Sequence, residues 1–255
     1  EFAKALAAKS PVLVERVDSN GLLPIAATDH AYPTAYAFRR FLQRNLPDHL
    51  SDLPSAGPKL PARFPQADDL SVKATRHCLI GIETVLENGP DLVAKQAANS
   101  EVLPVELHGG SRAARQTLKR FLEERLSRYE TERNQPESDA SSGLSPYLHH
   151  GHISVYQVFA ELAQQQQWSP DRLADRASGS REGWWGIHSS AEAFLDELVT
   201  WREVGFNMCA HRSDYDSADS LPDWARTTLD EHADDRRAHE YSFDEFRDGL
   251  THDDL

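Results

Sequence analysis

The chain has 255 residues, 39% of them hydrophobic, and a formal net charge of −14. This is enough for one large or two ordinary domains with buried cores, and it excludes a wholly disordered chain. No apolar run approaches the roughly eighteen residues that span a membrane, no signal peptide is visible, and the only cysteines, Cys78 and Cys209, exclude a disulfide framework. We therefore expect a monomeric cytoplasmic protein without membrane contact.

Acidic charge is concentrated at the end of the chain. Residues 214–255 hold fourteen acidic and four basic side chains, whereas residues 112–133 hold seven basic and four acidic ones. Net negative charge argues against nucleic-acid binding, but this uneven distribution does not exclude it. The basic stretch is either a positive binding face or a solvated helix with internal ion pairs.

The first fifty residues alternate between helical and strand-like patterns. Periodicity and turn residues predict a helix at Phe2–Lys9, strands at Pro11–Val17 and Leu22–Ala27, and a helix at Thr34–Leu50. This alternation is typical of an α/β domain. We place the end of that domain near residue 50.

Residues 51–110 are predicted to connect two domains. Four prolines and one glycine interrupt residues 51–65, a short helix is predicted around Ile80–Leu86, and Gly109 and Gly110 break the chain before the next element. We expect a long connector.

From Ser111 onward the pattern is helical only. Ser111 is predicted to cap a helix that ends near Asn134. Further helices are predicted at Ser154–Gln167, Ser190–Met208 and Pro222–Ala233. The second part of the chain is therefore expected to be an all-α domain.

A serine-rich turn leads into a short predicted helix through Pro146. The segment Ser142-Gly143-Leu144-Ser145 presents hydroxyl and backbone N–H donors at a helix start, where an anion such as phosphate is favoured. A serine just before a helix is also a common cap. The turn is therefore either a phosphate site or a plain helix start.

Glu197 and Trp201 stand four residues apart in a predicted helix and are expected to share one face. A carboxylate beside an indole can hydrogen-bond and stack on a flat base. Arg202 lies about 100° around the helix and offers a cation to another surface. The alternative is a core tryptophan beside a structural ion pair.

Three histidines, His149, His150 and His152, resemble a metal cluster only superficially. No nearby cysteine or paired carboxylate completes a tetrahedral site, so we predict no metal. The glycine-rich motifs of hydrolases, Rossmann dehydrogenases and P-loop NTPases do not occur in the sequence.

Four segments, in this order, carry a resemblance to a known family: Val17–Pro24, Arg128–Ser154, Ala193–Glu203 and Tyr215–Leu229. Together they resemble the photolyase and cryptochrome family, and most closely the class II cyclobutane pyrimidine dimer DNA photolyases. The resemblance extends over nearly the whole chain and is least clear in residues 51–110.

The resemblance implies two domains and a connector. Residues 1–50 would be the C-terminal part of a Rossmann-like α/β antenna domain, residues 51–110 the connector, and residues 111–255 an all-helical FAD-binding domain, incomplete at its C-terminus. The chain begins at Glu1 and its only methionine is Met208, so we expect a fragment truncated at both ends.

The resemblance also implies roles for the residues singled out above. Tyr129 and the turn from Ser142 to Ser145, with Gly143 and Leu144, would hold the phosphates and ribityl chain of FAD, and Arg202 would face the flavin. Glu197 and Trp201 would be the catalytic residues of the pocket for a flipped dimer. Gln157 stands where class II relatives usually have an arginine.

The implied activity is that of a deoxyribodipyrimidine photolyase, which repairs damaged DNA by light-driven electron transfer from reduced FAD. An antenna chromophore would be a second cofactor of unknown identity. The alternatives are a (6-4)-type photolyase, a cryptochrome-like flavin photoreceptor, and a helical interaction domain without cofactor.

Overall fold

The computed structural model describes residues 2–15, 17–51, 53–54 and 105–252, and this part of the chain is helical without any β-strand. The predicted all-α character of the second half is confirmed for the described residues. Cys78 and the helix predicted around Ile80–Leu86 lie outside them.

Three helices form in the first fifty residues: α1 (Phe2–Lys9), α2 (Ala35–Asn45) and α3 (Pro47–Leu50). Helix α2 begins where the Thr34 hydroxyl accepts the N–H of Ala37 at 3.2 Å. Proline at the first position of α3 has no N–H to donate, so the predicted single helix Thr34–Leu50 is divided there.

The two predicted strands are wrong. The described residues of Pro11–Val17 are irregular, and Ile25–Ala27 form a 3₁₀ turn. The N–H of Leu22 donates to Glu203 Oε1 at 2.6 Å, and the N–H of Ile25 donates to Asp18 Oδ2 at 2.7 Å. Because carboxylates satisfy these donors, no neighbouring strand is needed. The described residues therefore do not show the α/β pattern expected for the end of an antenna domain.

Within the described residues 105–252 there are seven further helices: α4 (Ser111–Arg120), α5 (Tyr129–Glu132), α6 (Ser145–His149), α7 (Val155–Gln165), α8 (Ser189–Leu195), α9 (Arg202–His211) and α10 (Asp223–Glu231), followed by a short α11 (Phe243–Arg247). Ser111 is the first helical residue rather than the predicted cap. The cap position is Gly110, whose φ of +94° favours glycine.

Two wide π-turns interrupt the helical segments, at Phe121–Arg125 and at Asp196–Trp201. In the second, the N–H of Arg202 donates to the carbonyl of Glu197, five residues back. Such a turn holds one more residue than an α-helical turn, and π-turns often occur at functional sites. We call Asp196–Trp201 the second π-turn.

One apolar core joins the first fifty residues to the later helices. Its members among the described residues include side chains from both halves: Leu22, Phe38, Leu42, Leu46, Leu118, Phe121, Phe159, Leu162, Phe194 and Val199. No described residue after Asn207 is buried. The segment containing α10 and α11 therefore lies outside this core.

Candidate functional site

A pocket of about 360 Å³ opens between α5, α6 and the second π-turn. Its lining contains six of the eight predicted site residues, Tyr129, Ser142, Leu144, Ser145, Glu197 and Arg202, together with the apolar Leu148, Phe194 and Leu198. Residues from three separate parts of the chain therefore meet at one cavity. Gly143 lies within the turn between two lining residues, and Trp201 is not part of the lining.

The serine turn is anchored beside this pocket by its backbone geometry and by one buried side chain. Gly143 has a φ of +67°, which side chains other than glycine rarely adopt, and the N–H of Leu144 donates to Ser142 Oγ at 3.3 Å. The Leu144 side chain is buried and anchors the turn in the core, while Ser145 stays exposed. Pro146 is the second residue of α6, so the turn leads into a helix through Pro146, as the sequence predicted.

Two aromatic rings, Tyr129 and Phe194, line the pocket, and Phe121 packs behind them. The ring of Tyr129 meets those of Phe121 and Phe194 edge to face, at centroid distances of 5.6 and 5.4 Å, and the two phenylalanines lie 4.6 Å apart. Burial, and then the negative charge of Glu197, raise the pKa of the Tyr129 phenol above 10, against the opposing effect of Arg133. Tyr129 is therefore a neutral hydrogen-bond donor at physiological pH.

Arg133 is a site residue that the sequence reasoning missed. Its guanidinium lies 5.4 Å from the ring centroid of Tyr129 and 3.5 Å from Glu197 Oε1. The Arg133 side chain is only 17% exposed, whereas that of Glu197 is 40% exposed. Arg133 lies four residues after Tyr129, and this helical spacing is the sequence signal that could have identified it. Because its contact to Arg133 is long, the Glu197 carboxylate keeps acceptor capacity for a ligand.

Arg202 and Trp201 face different surroundings. The guanidinium of Arg202 lies 4.8 Å over the ring of Phe206 and donates to the carbonyl of Asn20. Burial lowers the pKa of Arg202 and the charge of Glu203 opposes this, but a guanidinium stays charged. Trp201 is 51% exposed. The wide turn thus combines Glu197 with Arg202 in the pocket and leaves the indole at its outer surface.

Helix α9 is clamped to the first part of the chain by a buried carboxyl. Glu203 accepts the N–H groups of Leu22 and Leu23, the second at 3.3 Å from Oε2, and a methyl group on Gly21 would lie 2.7 Å from its Cδ. Burial raises the pKa of Glu203 to about 8, although the two N–H donors and Arg202 act in the opposite direction.

Two more residues of α9 continue this clamp at four-residue spacing. Asn207 accepts the N–H of Tyr32 and donates to the carbonyl of His30, both at 2.9 Å. His211 Nε2 lies 2.8 Å from the Thr28 hydroxyl. Residues 22–32 are therefore fixed on the helix that carries Arg202.

The remaining candidates lie elsewhere. The amide of Gln157 donates to Glu161 Oε1 at 2.8 Å, beside a separate cavity of about 300 Å³. His152 Nδ1 accepts the N–H of Gly110 at 3.1 Å, and no group of three potential metal ligands occurs in the described ranges. None of the described helices has the length and apolar character needed to cross a membrane.

Comparison with known proteins connects the pocket to a family. No protein-family model matches the chain. A deoxyribodipyrimidine photo-lyase of Oryza sativa subsp. japonica is 31% identical over 248 residues, which are 96% of this chain and 43% of the rice protein. The chain is thus similar along nearly its whole length to DNA photolyases. It spans less than half the length of the curated photolyases that it matches.

Two further photolyases are similar to the chain. The deoxyribodipyrimidine photo-lyase of Arabidopsis thaliana is 30% identical over 254 residues, covering 95% of the chain and 44% of that protein. The protein of the same name from Potorous tridactylus is 35% identical over 138 residues, covering 54% of the chain and 23% of that protein. The photolyase match thus includes the pocket as well as the first fifty residues.

Proposed function

We propose that the protein carrying this chain repairs cyclobutane pyrimidine dimers in DNA by light-driven electron transfer from reduced FAD. The observation that carries the proposal is the single pocket that joins the serine turn, Tyr129, Glu197 and Arg202. The photolyase relatives supply the class of reaction.

The donor set of the pocket fits the FAD molecule. The hydroxyl groups of Ser142 and Ser145 suit phosphate and ribityl oxygens, and the guanidinium of Arg202 suits acceptor atoms of the flavin, because all of them donate hydrogen bonds. The neutral phenol of Tyr129 adds a further donor. Leu148, Phe194 and Leu198 provide apolar surface for a flat ring and exclude water from it.

Glu197 is assigned to the lesion side of the pocket. Its half-exposed carboxylate can accept hydrogen bonds from the edge of a flipped pyrimidine, and the exposed indole of Trp201 can pack on a base that approaches from outside. Arg133 holds the Glu197 carboxylate from the other side. Reduced FAD supplies the electron that opens the dimer ring, so no acid–base pair is required of the protein.

Damaged DNA is the proposed partner despite the acidic composition. Helix α4 carries the exposed cations Arg112, Arg115 and Lys119, and its Thr117 lies next to Gly143 in the serine turn. Exposed cations on this helix attract DNA phosphates. Most of the net negative charge, −10 of −14, lies in residues 214–255, outside the core.

A light-minus-dark repair assay on dimer-containing DNA tests the proposal. The wild-type protein with bound FAD should restore the pyrimidines in light and not in darkness. Glu197→Ala should lower repair per absorbed photon, whereas Glu123→Ala, which removes an exposed carboxylate paired only with Lys119, should leave it unchanged. Repair of (6-4) photoproducts instead of dimers would overturn the lesion assignment, and the absence of any light-dependent repair would overturn the function.

A further inference from the structure

A buried ion pair joins α2 to the residue just before Glu197. Arg39 Nε donates to Asp196 Oδ1 at 2.8 Å, and Arg39 Nη2 donates to Asp196 Oδ2 at 3.0 Å. The two side chains are 11% and 4% exposed. Two parallel bonds between a guanidinium and a carboxylate fix both distance and orientation, which one bond does not.

The pair acts at the start of the second π-turn. Asp196 is the first residue of that turn, Glu197 follows it directly, and the carbonyl of Glu197 accepts the i+5 bond of Arg202. Helix α2 packs against the turn, and Arg39 also reaches the carbonyl of Gly179 at 3.4 Å. A rotation of the turn that redirected Glu197 would therefore have to break both bonds of the pair.

Such a restraint has a physical reason in this helix. An α-helical turn is the usual conformation, so a wide turn needs tertiary contacts that favour it. Buried ion pairs contribute little net stability compared with apolar packing, and their best-attested use is to select one arrangement over another. The position of this pair matches that use, since its carboxylate belongs to the wide turn itself.

We propose that Arg39 and Asp196 are positioning residues that hold the second π-turn so that Glu197 points into the pocket. This inference rests on the proposed function, because it gives Glu197 the role of contacting the lesion. The sequence motif around Glu197 does not reveal the pair, since its two members are 157 residues apart.

A double-mutant cycle tests whether Arg39 acts through Glu197. The measured quantity is the affinity for dimer-containing DNA divided by the affinity for undamaged DNA, in protein that retains FAD. Arg39→Gln and Glu197→Ala should each lower this ratio about tenfold, and the double variant should lower it no further, because residues that act through one another are not additive. Additive effects would show that Arg39 does not act through Glu197.

Gln43→Ala is the matched control. Gln43 is also buried on α2 and bonds to Gly179 N–H and the Ser180 carbonyl, but it does not contact Asp196. It should lower the unfolding temperature and leave the damage preference unchanged. An equal loss of preference in Gln43→Ala would overturn the proposal, because it would show a general effect of loosening α2.

Arg39→Lys keeps the positive charge but cannot form the two parallel bonds. If circular dichroism shows that Arg39→Gln is unfolded, Arg39→Lys replaces it in the double-mutant cycle. We expect the preference of Arg39→Lys for damaged DNA to lie between those of wild type and Glu197→Ala. A wild-type preference in Arg39→Lys would contradict the need for the bidentate geometry. A wild-type protein without any preference for damaged DNA would instead refute the proposed function.

Discussion

Polar residues on the two sides of the helical segment Ser189–His211 differ in their burial and in the length of their contacts. On the core side, Asp196, Glu203 and Asn207 are each at most 4% exposed and bonded to partners within 3.4 Å. On the pocket side, Glu197 is 40% exposed and its contact with Arg133 is 3.5 Å long. Saturated, buried polar groups hold the fold together, whereas partly exposed and loosely paired ones remain available to a ligand.

Removing a core-side carboxylate should have the largest effect on stability. Asp196→Ala leaves the Arg39 charge buried without its partner, and such a change costs about 3–5 kcal/mol. Urea unfolding followed by circular dichroism measures the loss. A loss below about 1 kcal/mol would mean that the pair is not desolvated as described and would remove the contrast between the two sides.

Adding a methyl group at Gly21, next to Glu203, should destabilise the fold less than Asp196→Ala does. In Gly21→Ala the new Cβ would lie 2.7 Å from Glu203 Cδ, and overpacking of this kind costs about 1–3 kcal/mol. Gly205→Ala on the exposed side of α9 is the control, since no atom lies within 4 Å of its Cβ position. That substitution should stabilise the helix by about 0.5–1 kcal/mol, so equal effects at the two glycines would contradict the account.

Glu203 should make stability depend on pH. Its pKa is about 8 in the folded protein, against 4.5 for an ordinary glutamate. Its stabilising contribution is therefore complete below pH 4.5 and is lost as the pH rises to 8, because the unfolded chain releases this proton first. The slope is about 1.4 kcal/mol per pH unit within that window.

Glu203→Gln provides the comparison for this pH dependence. A glutamine cannot ionise, so the slope assigned to Glu203 should disappear from unfolding curves measured between pH 4.5 and 8. An unchanged slope would show that Glu203 is ionised in the folded protein at neutral pH.

Substitution on the pocket side should have the smallest effect on stability. Glu197→Ala removes a partly exposed ion pair, which contributes about 0–1 kcal/mol. Thermal unfolding should place this variant close to wild type and far from Asp196→Ala. If Glu197→Ala were as destabilised as Asp196→Ala, Glu197 would be a structural residue and not a ligand contact.

Local sequence signals predicted much of the fold. Helices were predicted to begin at Thr34 and Ser154, and in the structure these residues cap α2 and α7 by accepting the N–H groups three residues on. The predicted strand Leu22–Ala27 failed because a carboxylate 181 residues away bonds Leu22, and no local pattern reports such a contact. Propensity and periodicity describe neighbours in sequence, whereas this loop is determined by tertiary packing.

The site could be predicted in its residue types but not in its geometry. Glycine and serine between residues 142 and 145 indicated a turn with hydroxyl donors, and these hydroxyls lie at the pocket. The expected shared face of Glu197 and Trp201 assumed α-helical spacing. The second π-turn replaces that spacing, and the Arg39 contact that we propose holds this turn comes from another helix, which the local sequence does not contain.

Retention of FAD by serine variants tests the central claim most directly. The flavin absorbance of desalted protein measures the stoichiometry for wild type, for Ser142→Leu/Ser145→Leu, and for the control Ser141→Leu, an exposed neighbour outside the pocket lining. We expect wild type and Ser141→Leu to retain FAD, and the double variant to lose it with unchanged far-ultraviolet circular dichroism, because leucine removes the hydroxyl donors and fills the pocket. Full FAD retention by the double variant would contradict the assignment of this pocket to the flavin.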